Sequence, residues 1–135
     1  MAANTRFATG VHAMVLLAGD TDQLQTSEQL AGKLGINPVV VRRVFSLLHR
    51  AGLLESQKGP RGGSRLARSA KQITLADIYA AVEGGELFHA GEFPGGQSAK
   101  VSAALKRAVE AADAAMREEL EKTTLNQLAK KSAKK

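Results

Sequence analysis

The chemistry-bearing side chains of this 135-residue chain are mostly cations, and they are unevenly placed. Between Ala31 and Ala76 stand nine of them (Lys33, Arg42, Arg43, Arg50, Lys58, Arg61, Arg65, Arg68 and Lys71) against one acid, Glu55. That segment carries +8, and because the whole chain sums to +6 the remainder carries −2. An excess so one-sided suits a polyanion, and among polyanions a nucleic acid. At its centre lies the stretch Lys58 to Arg65, KGPRGGSR, with three glycines, one proline and three cations. Such a loop either wraps a small phosphate with its backbone N–H groups or forms the tip of a hairpin pressed on a polyanion. The first reading fails on spacing: no Gly-x-x-x-x-Gly-Lys-Ser/Thr is present, and no helix signal follows directly.

Other chemistries are poorly provided for. The chain has no cysteine, which excludes disulfides, thiolate metal sites and cysteine nucleophiles and suits a reducing compartment. His12, His49 and His89 are too scattered in sequence to read as a metal site. His89, between Phe88 and Phe93, can line a small-molecule pocket, and the identity of any such effector is open. No Ser/His/Asp set or paired carboxylates suggests catalysis, so an enzyme is not expected, and neither is a cofactor. Aromatics at 4% are too few for a base-stacking RNA surface. The apolar run near the N-terminus contains His12 and lacks a cleavage pattern, and no stretch reaches the roughly 18 apolar residues of a membrane span. The expectation is a single-domain cytoplasmic protein with no membrane partner.

The elements that must position these cations are largely helical. Phe7, Val11, Met14, Val15 and Ala18 line one face of a first helix. Thr26 with Gln29 three residues on forms a capping box for a short second helix, with Leu30 and Leu34 inward and Gly35 as its left-handed stop. Asn37-Pro38 opens a third helix, the asparagine as cap and the proline at the first position. Its apolar stripe reads Val40, Val44, Leu47, Leu48 and Ala51. Its outer face reads Val39, Arg42, Arg43, Ser46, His49 and Arg50. Two helices joined by a glycine turn, the second more basic, match a helix-turn-helix. Leu53–Ser56 and Ser64–Ala67 then read as two strands joined by the glycine-rich loop, which makes the loop the tip of a wing.

Thr74 to Asp77 caps a further helix with Leu75, Ile78, Tyr79 and Val82 inward. Residues 84–98 hold five glycines and a proline and read as a linker. Ala99 to Glu121 reads as one helix of about 34 Å at 1.5 Å per residue. Its stripe of Val101, Leu105, Ala108, Ala112 and Ala115 is small enough to admit a second helix closely, so it is expected to be a homodimer interface. Thr124 with Gln127 caps a last helix with Leu125 and Leu128 inward, and AKKSAKK reads as a frayed basic tail. The expected fold is mostly α with a small β-hairpin: a winged helix-turn-helix over 1–83, a linker over 84–98, and a dimerisation helix, short helix and tail over 99–135.

Taken together, TSEQLAGKLGINPVVVRRVFSLLHRAGLLES, KGPRGGSRLA, ITLADIYAAVEG and TTLNQLAKK resemble the Rrf-two family of bacterial winged-helix transcription regulators across nearly the whole chain. The resemblance implies a homodimer with crossing long helices, a recognition helix from about Pro38, and wings that reach the minor groove. Many members of that family carry three cysteines before the long helix and hold an iron–sulfur cluster. Here that stretch has His89 and Glu92 and no cysteine, so the cluster does not carry over and the chain fits a cysteine-free branch. Where cluster-bearing members often read Tyr-Leu-Glu-Gln, this chain has Val40-Val41-Arg42-Arg43, which implies a different operator or weaker base discrimination.

The expected contacts to double-stranded DNA are Thr26, Ser27, Pro38, Val39, Arg42, Arg43, Arg50, Lys58, Arg61 and Arg65. Arg42 and Arg43 can chelate guanine O6/N7 or clamp a phosphate. Arg61 suits a narrow minor groove, and Thr26 with Ser27 can hold a phosphate at a helix start while also capping it. Two functions are compatible with these residues. One is a sequence-specific dimeric regulator, expected to be a repressor; the other is a non-specific architectural or protein-interaction module on the same scaffold.

Overall fold

The computed structural model describes residues 5–19, 23–83 and 95–133. In chain order the elements are α1 (Arg6–Gly19), α2 (Ser27–Leu34), α3 (Pro38–Arg50), β1 (Leu54–Gln57), β2 (Gly63–Leu66), a 3-10 turn at Ala70–Gln72, α4 (Leu75–Glu83), α5 (Gly96–Leu120) and α6 (Leu125–Ala133). The fold is mostly helical with one antiparallel hairpin and a long helix near the C-terminus, as the sequence leads one to expect.

Three helix starts obey the same local chemistry. Thr26 Oγ1 accepts from Gln29 N at 3.1 Å while Thr26 N donates to Gln29 Oε1 at 2.8 Å. Thr74 with Asp77 and Thr124 with Gln127 repeat the exchange at 2.9 to 3.2 Å. Each box satisfies two backbone donors that a helix end otherwise leaves orphaned. Asn37 caps α3 through Oδ1 on Val39 N at 2.8 Å, with Pro38 following at the first position. Gly35 closes α2 at φ 70°, the left-handed conformation that glycine adopts without steric cost.

One core unites the head. Met14, Leu17, Leu30, Val41, Val44, Leu48, Leu53, Ile73, Ile78 and Leu125 are fully buried in it. Gly10 lets α1 close on its neighbours: a Cβ there would lie 3.3 Å from both Ile78 Cγ2 and Val82 Cγ1. The stripe of α3 differs from the sequence reading. Val41, Val44, Phe45 and Leu48 point inward, whereas Val40 is 38% exposed and Ala51 is exposed. The run Val39-Val40-Val41 is apolar at every step, so periodicity alone does not choose which valine faces the core.

The C-terminal region also differs. Helix α5 starts at Gly96, three residues before the sequence signal. Residues 129–133, read as frayed tail, belong to α6, whose last turn carries Lys130 and Lys131 where a helix C-terminus favours cations. Helix α6 returns to the head: it packs against α1, Leu125 N donates to Ile73 O at 2.7 Å, and Thr124 bridges Thr74. The linker residues 84–94, with His89 and Glu92, lie outside the described residues. Among the described residues, no helix is long and apolar enough to cross a membrane.

Candidate nucleic-acid interface

Helix α3 sorts its residues by side. Val39, Arg43, Ser46 and Arg50 recur at steps of four, three and four, which places them along one line of the helix opposite the core stripe. All four are exposed, and Arg43 and Arg50 have no ion-pair or hydrogen-bond partner among the described residues. Arg42 lies at the edge of this line and is engaged: its Nη2 sits 3.0 Å from Glu28 Oε1, across 14 residues of sequence. Glu28 stands in the first turn of α2, where its own backbone N–H and then the Arg42 guanidinium hold its carboxyl below the usual carboxylate range. Thr26 and Ser27 open the same helix. Thr26 is committed to the capping box, and Ser27 Oγ donates to Glu28 Oε2 at 3.2 Å. Pro38 is exposed at the start of α3.

The wing is tied to α3 and to the segment before α2. Strands β1 and β2 pair in the register Leu54↔Leu66, Glu55↔Arg65, Ser56↔Ser64 and Gln57↔Gly63. Ser64 is buried and meets His49 Nε2 at 2.9 Å, so His49, read as part of the outer face, points at the wing base. Ser64 also exchanges backbone hydrogen bonds with Gln25, at 3.0 and 2.8 Å. Gln25 thereby adds a one-residue third strand to the hairpin. It is itself buried, its Oε1 accepting from Lys33 Nζ at 2.7 Å. Sequence reasoning missed both ties. The available signal was Gly63, where a Cβ would stand 2.9 Å from the Gln25 backbone; a strand glycine often marks such a close approach.

At the tip, Lys58 and Arg61 are exposed and have no partner among the described residues. Arg65 differs: its Nε lies 2.7 Å from Glu55 Oε1, directly across the hairpin. The one acid of the basic segment thus occupies one of its cations, and the tip itself stays positive.

Helix α5 has two dissimilar sides. Val109, Asp113, Met116, Arg117 and Leu120 are half-buried, and part of this side packs toward α4. There Arg117 lies 4.9 Å over the Tyr79 ring and its Nε pairs with Asp113 Oδ2 at 2.8 Å. A quarter-turn away, Val101, Leu105, Ala108, Ala112 and Ala115 are all exposed, with Val101 at 59% and Leu105 at 46%.

A helix pair whose second member presents unpaired arginines, followed by a basic two-stranded wing and a long helix with an open apolar stripe, matches the family model for Rrf2, described as an iron-dependent transcriptional regulator, over residues 3–131. The chain belongs to the Rrf2 family. Among relatives of this Rrf2 protein, YwnA of Bacillus subtilis, assigned to the helix-turn-helix transcriptional regulators, is 36% identical over 126 residues, covering 90% of this chain and 92% of YwnA. A solved structure from Lactobacillus plantarum, assigned as a transcriptional regulator, is similar with a TM-score of 0.81 at 25% identity, covering 96% of this chain and 91% of its own. CymR, the global cysteine regulator of Bacillus subtilis, gives a TM-score of 0.69 at 25% identity, covering 96% and 97%.

The family description names iron, and the donor set of this Rrf2 chain does not fit a thiolate-held cluster. The full sequence has no cysteine, and among the described residues no group of three or more His, Asp or Glu is placed to hold a metal ion.

Proposed function

We propose that this Rrf2-family regulator binds operator DNA sequence-specifically as a homodimer, acts as a repressor, and senses its signal without an iron–sulfur cluster. The observation that carries the reading is the outward line of α3, Val39, Arg43, Ser46 and Arg50, beside a wing whose Lys58 and Arg61 are unpaired among the described residues. Arginine on such a line suits bidentate contact with guanine, and cations at a narrow wing tip suit the minor groove. Ser27 and the first N–H groups of α2 suit a phosphate. Arg42 and Arg65 enter with acidic neighbours already attached, so they serve best at the backbone or after exchange of partner.

Homodimerisation draws its support from α5. At 25 residues it runs about 37 Å, and its Val101–Leu105–Ala108–Ala112–Ala115 stripe is open to solvent. A second copy of the same helix supplies a matching apolar surface, as two-fold interfaces require. Two heads on one axis then read two half-sites. Footprinting of DNA recovered by selection with the full chain tests this: two related half-sites about one helical turn apart, or a multiple of it, are expected. Uniform protection of any duplex at physiological salt would instead identify a non-specific architectural protein.

A further inference from the structure

The first turn of α3 carries an apolar surface that the core does not use. Ile36 is 37% exposed, Val39 49% and Val40 38%; among the described residues the other exposed large hydrophobics are Val101 and Leu105 on α5. The core side of α3 is already supplied by Val41, Val44, Phe45 and Leu48. In sequence the three aliphatic residues flank the Asn37 cap, and only the buried Val41 separates Val40 from Arg42 and Arg43. The occupant of this surface must therefore offer apolar groups flanked by negative charge. The major groove of a duplex does so at one base: the thymine C5-methyl stands between two rows of phosphates, and it is the apolar group that a groove-reading helix can recognise.

We propose that Val39 and Val40, with Ile36 beside them, read thymine methyl groups in each half-site, so that the operator carries thymine beneath the first turn of α3. This inference rests on the operator-binding reading above and adds the base identity to it. Polar side chains at these positions would serve any base edge. Aliphatic ones leave donors and acceptors unanswered and reward a methyl. The arginines that follow on the same helix then specify or clamp the adjoining steps.

Removing only the methyl tests the assignment. With the operator obtained by selection, each thymine is replaced in turn by deoxyuridine, which keeps every hydrogen-bonding group. Binding of the full chain is read by fluorescence anisotropy. At one or two positions per half-site a loss of about fourfold is expected, the equivalent of the roughly 0.8 kcal/mol of one buried methylene. In the Val39→Ala, Val40→Ala protein the same replacements should cost less than twofold, because the partner of the methyl is gone. Wild-type affinity for the fully uracil-substituted operator overturns the proposal while leaving sequence-specific binding intact. So does a double variant that changes sedimentation but not DNA binding, since the patch is then a protein contact. Failure of selection to enrich any sequence overturns the operator-binding reading itself, and this inference with it. The uracil measurement uses the unaltered protein, so a variant that folds poorly does not shelter the proposal.

Discussion

Arg42 and Arg43 are adjacent in sequence and differ in circumstance. The Glu28 carboxylate holds the first at 3.0 Å, whereas the second has no partner among the described residues. Replacing Glu28 with glutamine removes one acid from the basic face and releases a guanidinium. Affinity for any duplex is then expected to rise, with the dependence of log K on log salt steeper by roughly one unit, as one further phosphate contact gives. Anisotropy titrations at several salt concentrations measure it; weaker binding to the operator alone would instead make Glu28 a brace that aims Arg42. Because the carboxyl titrates below its ordinary range in the fold, the ion pair persists at neutral pH and is lost as pH falls through that lowered value. Tyr79 offers a second residue-scale measurement. Burial first, and the Asp113 carboxylate second, push its phenol above the usual range, against the opposing pull of Arg117. Stability from the neutral phenol is present below pH ~10 and is lost as pH rises through the raised value. It is the only tyrosine in a chain without tryptophan, so absorbance near 295 nm reads it directly. The phenolate should appear above pH ~10 in the native protein and at about 10 in denaturant. Equal midpoints in both states would contradict the burial.

At the scale of elements the wing is the instructive case. Its strands and basic tip are legible from Leu53 onward, because the glycines and proline of the tip and the short apolar pairs beside it are local signals. What fixes its direction is not local: His49 from α3 and Gln25 from before α2 both converge on Ser64. Alanine at Gly63 places a Cβ 2.9 Å from the Gln25 backbone and must push that bridge apart. A loss of about 1–3 kcal/mol is expected, in the range of a buried hydrogen-bond pair broken without replacement. Thermal unfolding measures it, and operator affinity should fall further than stability alone explains. At Gly62 a Cβ collides with the Gln57 carbonyl oxygen, so alanine there should reshape the tip with a smaller change in Tm. Were Gly63→Ala to leave both Tm and DNA binding unchanged, the third-strand bridge would have no role in holding the wing.

For the whole molecule, the long helix divides its work between its own head and an open stripe. Leu105→Glu with Ala108→Glu puts charge on the stripe and leaves the Tyr79–Arg117 side of α5 untouched. In a homodimer those carboxylates meet their copies in an apolar seam, a burial that unpaired charge does not sustain. Sedimentation should report monomers at micromolar concentration, with the helical spectrum retained. Operator affinity should fall on the order of a hundredfold, because two linked heads bind far more tightly than either alone. A wild-type protein that already sediments as a monomer would refute the dimer arm.

The sequence by itself determined what depends on neighbours a few residues apart. The Thr26, Thr74 and Thr124 capping boxes, the Asn37-Pro38 start, the Gly35 stop and the absence of thiolate donors all follow from composition or from hydrogen bonds within four residues. Tertiary structure decided the rest. It chose Val41 over Val40 for the core, because three successive valines carry no periodicity of their own and only the facing surfaces of α2, α1 and α4 fix the rotation of α3. It joined Glu28 to Arg42, Gln25 to Ser64 and α6 to α1. These pairings span 14 residues or more, where a chain offers many partners of the right type and only the folded geometry selects one.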